Sequence, residues 1–414
     1  MRRSPLTPAL SPDIVGGEAE KRPDLLARLA IAHAQRAHDD LLRRTHTVER
    51  VNAPHIAIEG QSLIDFASND YLGLAQHPSV GDAMIQAVKR SGVGARAAHL
   101  LGGHRSEHAE LEEKLAAWTG RERALLFSTG YMANLGVIGA LTGKNDICVQ
   151  DKLNHASLLD AARLSGATLK RYAHSDVAAA KRQLRSRPGE AALLATDGVF
   201  SMDGDIAPLR GLAGLCETER AVFMVDDAHG LGVLGPDGAG SLAAARLGQN
   251  DAPVLMATLG KALGVAGAFI AGSAALIDGL LQFARSYIYT TAMPPALAAA
   301  ASAAVDLARG DSDRRQRVKQ HITQFQTGAA DRGIAVLASS TPIQPVVIGN
   351  SAAALAISQR LHDIGFHVPA IRAPTVASTQ ARLRISLSAA HTSTDIERLL
   401  DALAHALAAE ERTL

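Results

Sequence analysis

Only two of 414 residues are cysteine, one is tryptophan, and aromatics make up 3% of the chain. Cys148 and Cys216 both lie inside apolar stretches. They are too few for a disulfide framework or a cysteine-based zinc site, and they read as buried thiols of a protein kept in a reducing cytoplasm. An excess of charge is missing too: 42 basic residues face 41 acidic ones, for a net charge of +1. With no stripe of Lys/Arg interleaved with aromatics, a nucleic-acid surface is excluded, and small neutral or anionic metabolites are the expected ligands. Long apolar runs are absent as well. A membrane helix needs roughly 18 or more uncharged apolar residues, and the nearest approach, Ala292 to Val305, holds Pro294 and Pro295 and ends at Asp306. The opening Met1-Arg2-Arg3-Ser4-Pro5 carries the charge of a signal peptide, but no apolar stretch follows it. Pro8, Pro12, Gly16, Gly17 and Pro23 make residues 1–23 read as a loose tail.

What is present is core-forming material, at 47% hydrophobic residues, enough for one large domain and a smaller one. Leu25, Leu26, Leu29, Ala32, Ala37, Leu41 and Leu42 recur at a helical period between Asp24 and Arg44. His55 to Phe66 alternates around Glu59-Gly60-Gln61 as a hairpin does. From Ala124 to Leu263 short apolar runs alternate with helical segments. The runs are Ala124–Phe127, Asp146–Val149, Ala191–Ala195, Ala221–Val225 and Val254–Thr258, with Gly267–Ala271 closing the series. Continuously apolar strands separated by helices predict a mainly parallel sheet covered on both faces. Beyond a charged linking helix at Arg314–Arg332, strands are expected at Pro345–Ile348, Phe366–Ile371 and Leu383–Leu387. With helices at Ala353–Ile364 and Thr394–Glu410 they form a smaller α+β domain. The expected organisation is a tail over 1–23, a helix and hairpin over 24–65, a large domain over 66–300 and a small domain over 301–414.

Ligands on such sheets bind at the strands' carboxyl ends. Lys261 sits there, in Thr258-Leu259-Gly260-Lys261-Ala262-Leu263-Gly264, among small neighbours that let a flat ligand approach. The turn is not a P-loop, because Leu255 stands where the first glycine belongs and Ala262 where Ser or Thr would hold magnesium. Ser128-Thr129-Gly130-Tyr131 leaves a strand and opens a helix, which makes a plausible anion cradle. Asp226 ends another strand with His229 three residues on; the pair could contact two atoms of one heterocycle or half-bind a metal. No other His/Asp/Glu cluster has obvious ligand spacing, so no metal is expected. Gly230-Leu231-Gly232-Val233-Leu234-Gly235 fits the dinucleotide pattern, but it runs into Pro236-Asp237-Gly238 instead of opening a helix. A reactive lysine, an acid, an anion site and, after a further strand, Asn154-His155 together supply what pyridoxal phosphate needs.

The ordered segments Phe66–Leu74, Asn154–Leu158, Gly198–Asp205, Val225–Gly230, Thr258–Gly264, Tyr289–Pro295 and Ile371–Val376 resemble the α-oxoamine synthases, fold-type-I pyridoxal-phosphate transferases, from about Leu25 to the C-terminus. By that resemblance Lys261 is the lysine that forms an imine with the cofactor and moves the substrate's α-proton. Asp226 would keep the ring nitrogen protonated, His229 would bond the phenolic oxygen, and His155 would stack on the ring face. Ser201 is the cofactor-side serine, and Gly130, Tyr131 and Thr258 match the phosphate contacts. Arg384, helped by Asn69, would receive the amino acid's carboxylate; Arg43 and Thr375 match substrate contacts, and Tyr289 a segment reaching a partner subunit's site. The resemblance is nearest to the alanine-using branch. It implies condensation of L-alanine with a pimeloyl thioester, carried on coenzyme A or an acyl carrier protein, by a homodimer. Sister enzymes using glycine, such as 2-amino-3-ketobutyrate CoA ligase, or using serine, share the same cofactor residues, and a non-catalytic binding protein of the same fold is the alternative of another class. One stretch departs from the family: Gly94-Ala95-Arg96-Ala97-Ala98-His99-Leu100-Leu101-Gly102-Gly103-His104 replaces a Gly/Ser-rich loop.

Overall fold

The computed structural model describes residues 22–39, 41–43 and 45–412. Most of the tail expected over 1–23 lies outside them. The chain divides into an N-terminal unit ending at Thr45 and a second unit from His46 onward. In the first, Leu25–His38 is helical, capped by Asp24, whose carboxylate accepts from the amides of Leu26 and Ala27. The helix stops short of the Arg44 limit its periodicity suggested.

In the second unit, His55–Ile58 and Gln61–Asp65 pair antiparallel through the two-residue turn Glu59-Gly60, as the alternation predicts. The centre is a seven-stranded sheet in the order Arg123–Phe127, Ala268–Gly272, Val254–Thr258, Val222–Asp226, Ala191–Asp197, Asp146–Asp151, Thr168–Tyr172. Only Ala268–Gly272 runs against its neighbours. Because side chains alternate along a strand, burial on both faces demands apolar residues at consecutive positions. Cys148, Leu193, Met224 and Met256 accordingly pack in one layer, and Ile147, Val149, Leu194 and Phe223 in the other. Each such side chain contributes about 1.5–3 kcal/mol on burial. Thr168–Tyr172, with Lys170 and Arg171 at the sheet's margin, lacks the apolar run that marks the others.

Toward the C-terminus, Ile343–Gly349, Ala381–Ser386 and Ala370–Ile371 form a small antiparallel sheet. Helices Ser312–Asp331, Ser351–Asp363 and Ser393–Glu411 accompany it. The single strand expected over Phe366–Ile371 is two. Phe366–His367 joins the hairpin sheet in parallel with Ile64–Asp65, and Ala370–Ile371 joins the small sheet. Pro369 lies between them; it has no amide hydrogen to continue a ladder, and the pairing changes sheet across it.

Two local structures position the cleft at the carboxyl edge of the large sheet. The lysine turn is closed by bonds from Leu259 N to Gly267 O, 2.9 Å, and from Gly264 N to Lys261 O, 2.8 Å. Gly264 has φ +68°, and a Cβ there would lie 2.3 Å from the amide nitrogen of Ala75, so the turn can seat only with glycine. The second is the Gly198–Asp205 loop. His174 donates from Nδ1 to Asp151 at 3.0 Å and from Nε2 to Asp205 at 2.9 Å, tying that loop to the end of a neighbouring strand, with its ring edge-on to Phe200. Asp203 in the same loop pairs with Arg382. His174, Asp203 and Asp205 are close enough together to hold a cation, but both imidazole nitrogens are already spent on carboxylates. Burial alone would lower the pKa of His174; its hydrogen bonds to Asp151 and Asp205 outweigh that and push it up to about 9.

Gly264→Ala is expected to destabilise the protein by more than ~1 kcal/mol in chemical unfolding. Gly139→Ala, on a helix with nothing within 4 Å of the new methyl, serves as the neutral or mildly stabilising control. A raised histidine pKa stabilises the fold fully below the unfolded value near 6.5, and the gain is lost as pH rises through about 9. The melting-temperature gap between wild type and His174→Gln should therefore narrow from pH 6.5 to above 9; a gap independent of pH would refute the clamp.

Candidate active site

The parallel strands deliver their carboxyl ends to one cleft of about 200 Å³, lined by Gly130, Tyr131, His155, Ser157, Asp197, Ser201, Asp226, His229, Thr258 and Lys261 among others. Eight residues of the sequence reading thus meet there. Lys261 is half-buried, and its Nζ lies 2.8 Å from Nε2 of His229. Burial, only partly offset by the carboxylates of Asp226 and Asp197, lowers the lysine pKa to about 8. His229 is buried, and burial followed by the charge of Lys261 drives its pKa well below 6.5, so its ring is neutral. Its Nδ1 is 2.7 Å from the hydroxyl of Tyr71.

Consecutive residues on a strand point to opposite faces, which separates the two acids of Val225-Asp226-Asp227. Asp226 faces the cleft, accepting from Asn134 Nδ2 at 2.8 Å and from the Ala228 amide at 3.1 Å. Asp227 turns into the core, where it accepts from the Ser241 amide at 2.7 Å and burial pushes its pKa up to about 7. The adjoining glycines form tight packing: Gly232, with φ +84°, lies where a Cβ would come 2.7 Å from the Cβ of Ala262. They fit the lysine turn against its neighbour, and the segment continues into a short 3₁₀ turn at Pro236–Gly238, as its rejection as a dinucleotide fingerprint requires.

Thr129 caps the Gly130–Leu141 helix by accepting from the Met132 amide. The amides of Gly130 and Tyr131 head that helix facing the cleft, a favourable seat for an anion. Thr258 Oγ1 donates to Gly267 O at 3.0 Å and accepts from Gly260 N. His155 caps the Ala156–Ser165 helix through Nδ1, which leaves its ring open to the cleft. Its pKa is lowered, the shielding by surrounding protein outweighing the pull of Asp226. Arg384 is buried at the rim; it donates to Ser201 O at 2.6 Å, Ser386 Oγ at 2.8 Å and Asn69 Oδ1 at 3.0 Å. These bonds bring Asn69 and Arg384 together, the pair the sequence reading grouped, and add Ser201, which that reading places on the cofactor side.

Thr375 and Tyr289 do not line the cleft. Thr375 lies on an exposed turn, its amide bonded to Arg372 O. Tyr289 is 72% exposed, with the Arg285 guanidinium 4.8 Å from its ring. Arg43 belongs to the N-terminal unit, where it is exposed. The divergent Gly94–His104 stretch packs His99 against the ring of Tyr287, forms an isolated bridge between Ala98 and Thr291, and accepts from the Ala292 amide at Ala97 O. Sequence reasoning missed Asp197, the cross-strand partner of Asp226. It accepts from the His155 amide at 3.1 Å, has one buried oxygen without a partner, and is held well above the usual carboxylate range by burial and by Asp226. It was visible as a second acid at a strand's carboxyl end. Tyr71 and Asn134 carried no such signal.

The set fits pyridoxal phosphate. A helix N-terminus with free amides suits a phosphate, the orphaned oxygen of Asp197 and the carboxylate of Asp226 flank a site for a protonated ring, and Lys261 offers an amine whose free base is abundant near pH 8.

Residues 61–403 match the family described as aminotransferase class I and II. An 8-amino-7-oxononanoate synthase from Hahella chejuensis is 52% identical over 91% of this chain and 95% of its own. Among solved structures, serine palmitoyltransferase from S. paucimobilis with a bound PLP–myriocin aldimine superposes with TM-score 0.89 at 28% identity, over 94% of this chain and 100% of that one. The 8-amino-7-oxononanoate synthase of Francisella tularensis does so with TM-score 0.74 at 31% identity, over 84% and 99%. A lysine, an acid and an anion seat at one sheet edge, on a chain half identical to such enzymes along nearly its whole length, place it in the aminotransferase class I and II family, among the pyridoxal-phosphate-dependent 8-amino-7-oxononanoate synthases.

Proposed function

We propose that this chain condenses L-alanine with a pimeloyl thioester, releasing carbon dioxide and the free thiol and yielding 8-amino-7-oxononanoate for biotin biosynthesis. The observation that carries the reading is the convergence of Lys261, Asp226 and His155 on one cleft whose rim holds the buried Arg384. When bound, pyridoxal phosphate supplies a carbonyl for an amine and a ring that withdraws electrons from the adjacent carbon.

The chain's own residues do the rest. Lys261 would hold the cofactor covalently through Nζ and, once freed, take the α-proton of alanine at that atom; its pKa near 8 suits a base at neutral pH. Asp226 would hold a proton on the ring nitrogen, which keeps the ring an electron sink. His229, neutral and backed by Tyr71, would bond the phenolic oxygen, while His155 would cover the ring face and exclude water from it. Amides of Gly130 and Tyr131 with Thr258 would seat the phosphate, and Ser201 would close the cofactor side. Arg384, its guanidinium fixed by Ser201, Ser386 and Asn69, would orient the alanine carboxylate before that group leaves as carbon dioxide.

Arg43 and Thr375 are proposed to contact substrate, the acyl chain arriving on coenzyme A or an acyl carrier protein. The working form would be a cytoplasmic homodimer in which Tyr289 reaches the partner's site. Residues 66–300 would act as the cofactor domain and 301–414 as the domain supplying Arg384. The purified enzyme, offered alanine, glycine and serine against pimeloyl and shorter thioesters, should turn over alanine with the pimeloyl donor at least tenfold faster than any other pair, a preference of about 1.4 kcal/mol. Preferred turnover of glycine or serine would overturn the substrate assignment, and full activity in Lys261→Ala would overturn the chemistry.

A further inference from the structure

Asn134 lies on the helix that heads the anion seat, is fully buried, and touches two groups. Its Nδ2 is 2.8 Å from Asp226 Oδ2 and 2.8 Å from Ser157 Oγ. A carboxylate only accepts, so the nitrogen of the amide, not its oxygen, must face Asp226. That leaves Asn134 Oδ1 buried without a partner. Turning the amide over would let Oδ1 accept from the Ser157 hydroxyl, but at the price of setting a carbonyl against a carboxylate.

With both amide hydrogens committed, Ser157 Oγ is an acceptor from Asn134, and its single proton remains to be placed. Ser157 is fully buried, and the acceptor in reach is His155 Nδ1 at 2.7 Å. The Ser157 backbone amide points at the same nitrogen from 3.3 Å. Two donors converge there, so Nδ1 must carry a lone pair and the ring proton must sit on Nε2.

We propose that Asn134 and Ser157 form a one-way hydrogen-bond relay through which the carboxylate of Asp226 fixes His155 as its Nε2–H tautomer. The direction of every bond follows from the acceptor at one end: Asp226 orients Asn134, Asn134 orients the Ser157 hydroxyl, and that hydroxyl sets the imidazole. Asn134 and Ser157 are positioning residues; they act on the two cleft groups that lie over and beside the cofactor ring. The relay couples those groups whichever acyl donor or amino acid the enzyme takes, so its failure would not touch the substrate assignment, nor would a wrong substrate assignment touch the relay.

The test is the ¹⁵N spectrum of histidine-labelled holoenzyme near pH 7, repeated without cofactor, with the His155 signals identified by their loss in His155→Gln. Wild type should show Nδ1 at the unprotonated position and Nε2 at the protonated one. Asn134→Asp keeps the size of the side chain, but the new carboxyl must share a proton with Asp226 and so offers Ser157 an acceptor. The Ser157 hydroxyl then turns away, Nδ1 acquires the proton, and the two ¹⁵N signals exchange positions. Ser157→Ala, a smaller change, removes the hydroxyl donor and should move both signals toward the average of the two tautomers. A wild-type Nδ1 that is protonated overturns the relay, as do signals that stay in place in the variants.

Discussion

Burying an amine beside two carboxylates at the edge of an apolar sheet is the constraint on which the rest of this structure depends. Asp197 and Asp226 are paired across adjacent parallel strands, so their side chains emerge side by side. Burial and the charge of Asp226 hold the proton on Asp197, and Lys261 lies in the field of both acids from the next strand's turn. The result is a balance: burial presses the lysine toward its free base, and the acids hold it partly charged. A pKa near 8 comes from that competition, and it suits an amine that must both form a covalent bond and carry a proton.

The surroundings maintain the balance. The lysine turn is seated by a glycine whose close approach to Ala75 leaves no space for a side chain. His174 straps the Gly198–Asp205 loop to the sheet, and that loop presents its Ser201 carbonyl to Arg384. Rim and floor of the cleft are therefore linked through backbone carbonyls and buried side chains, which fixes the distance between the group that would bind the substrate carboxylate and the amine that would take its proton.

Much of this was legible in the sequence, for physical reasons that differ by element. Six of the seven strands of the large sheet stood out because burial on two faces leaves continuous apolar runs. Thr168–Tyr172 did not, since an edge strand tolerates Lys170 and Arg171. Phe366–Ile371 looked like one strand because alternation cannot report which sheet each half joins; Pro369 decides that. Lys261, Asp226, His229 and His155 were readable as local signals, each a polar residue at the end of an apolar run or in the loop that follows it. Asn134 was not. It sits 92 residues from Asp226 in the chain and 23 from Ser157, within a helix whose composition gives no hint of a polar partner, and only the folded structure brings the three together. Arg43 and Thr375 rested on resemblance alone.

The central claim is that Lys261 is the residue that binds the cofactor covalently. Borohydride reduction of the holoenzyme followed by proteolysis and mass spectrometry tests it directly. The account predicts a single reduced pyridoxyl adduct, on the peptide containing Lys261, with loss of the visible absorbance band. An adduct on another lysine, or a band that survives reduction with no adduct, would contradict it.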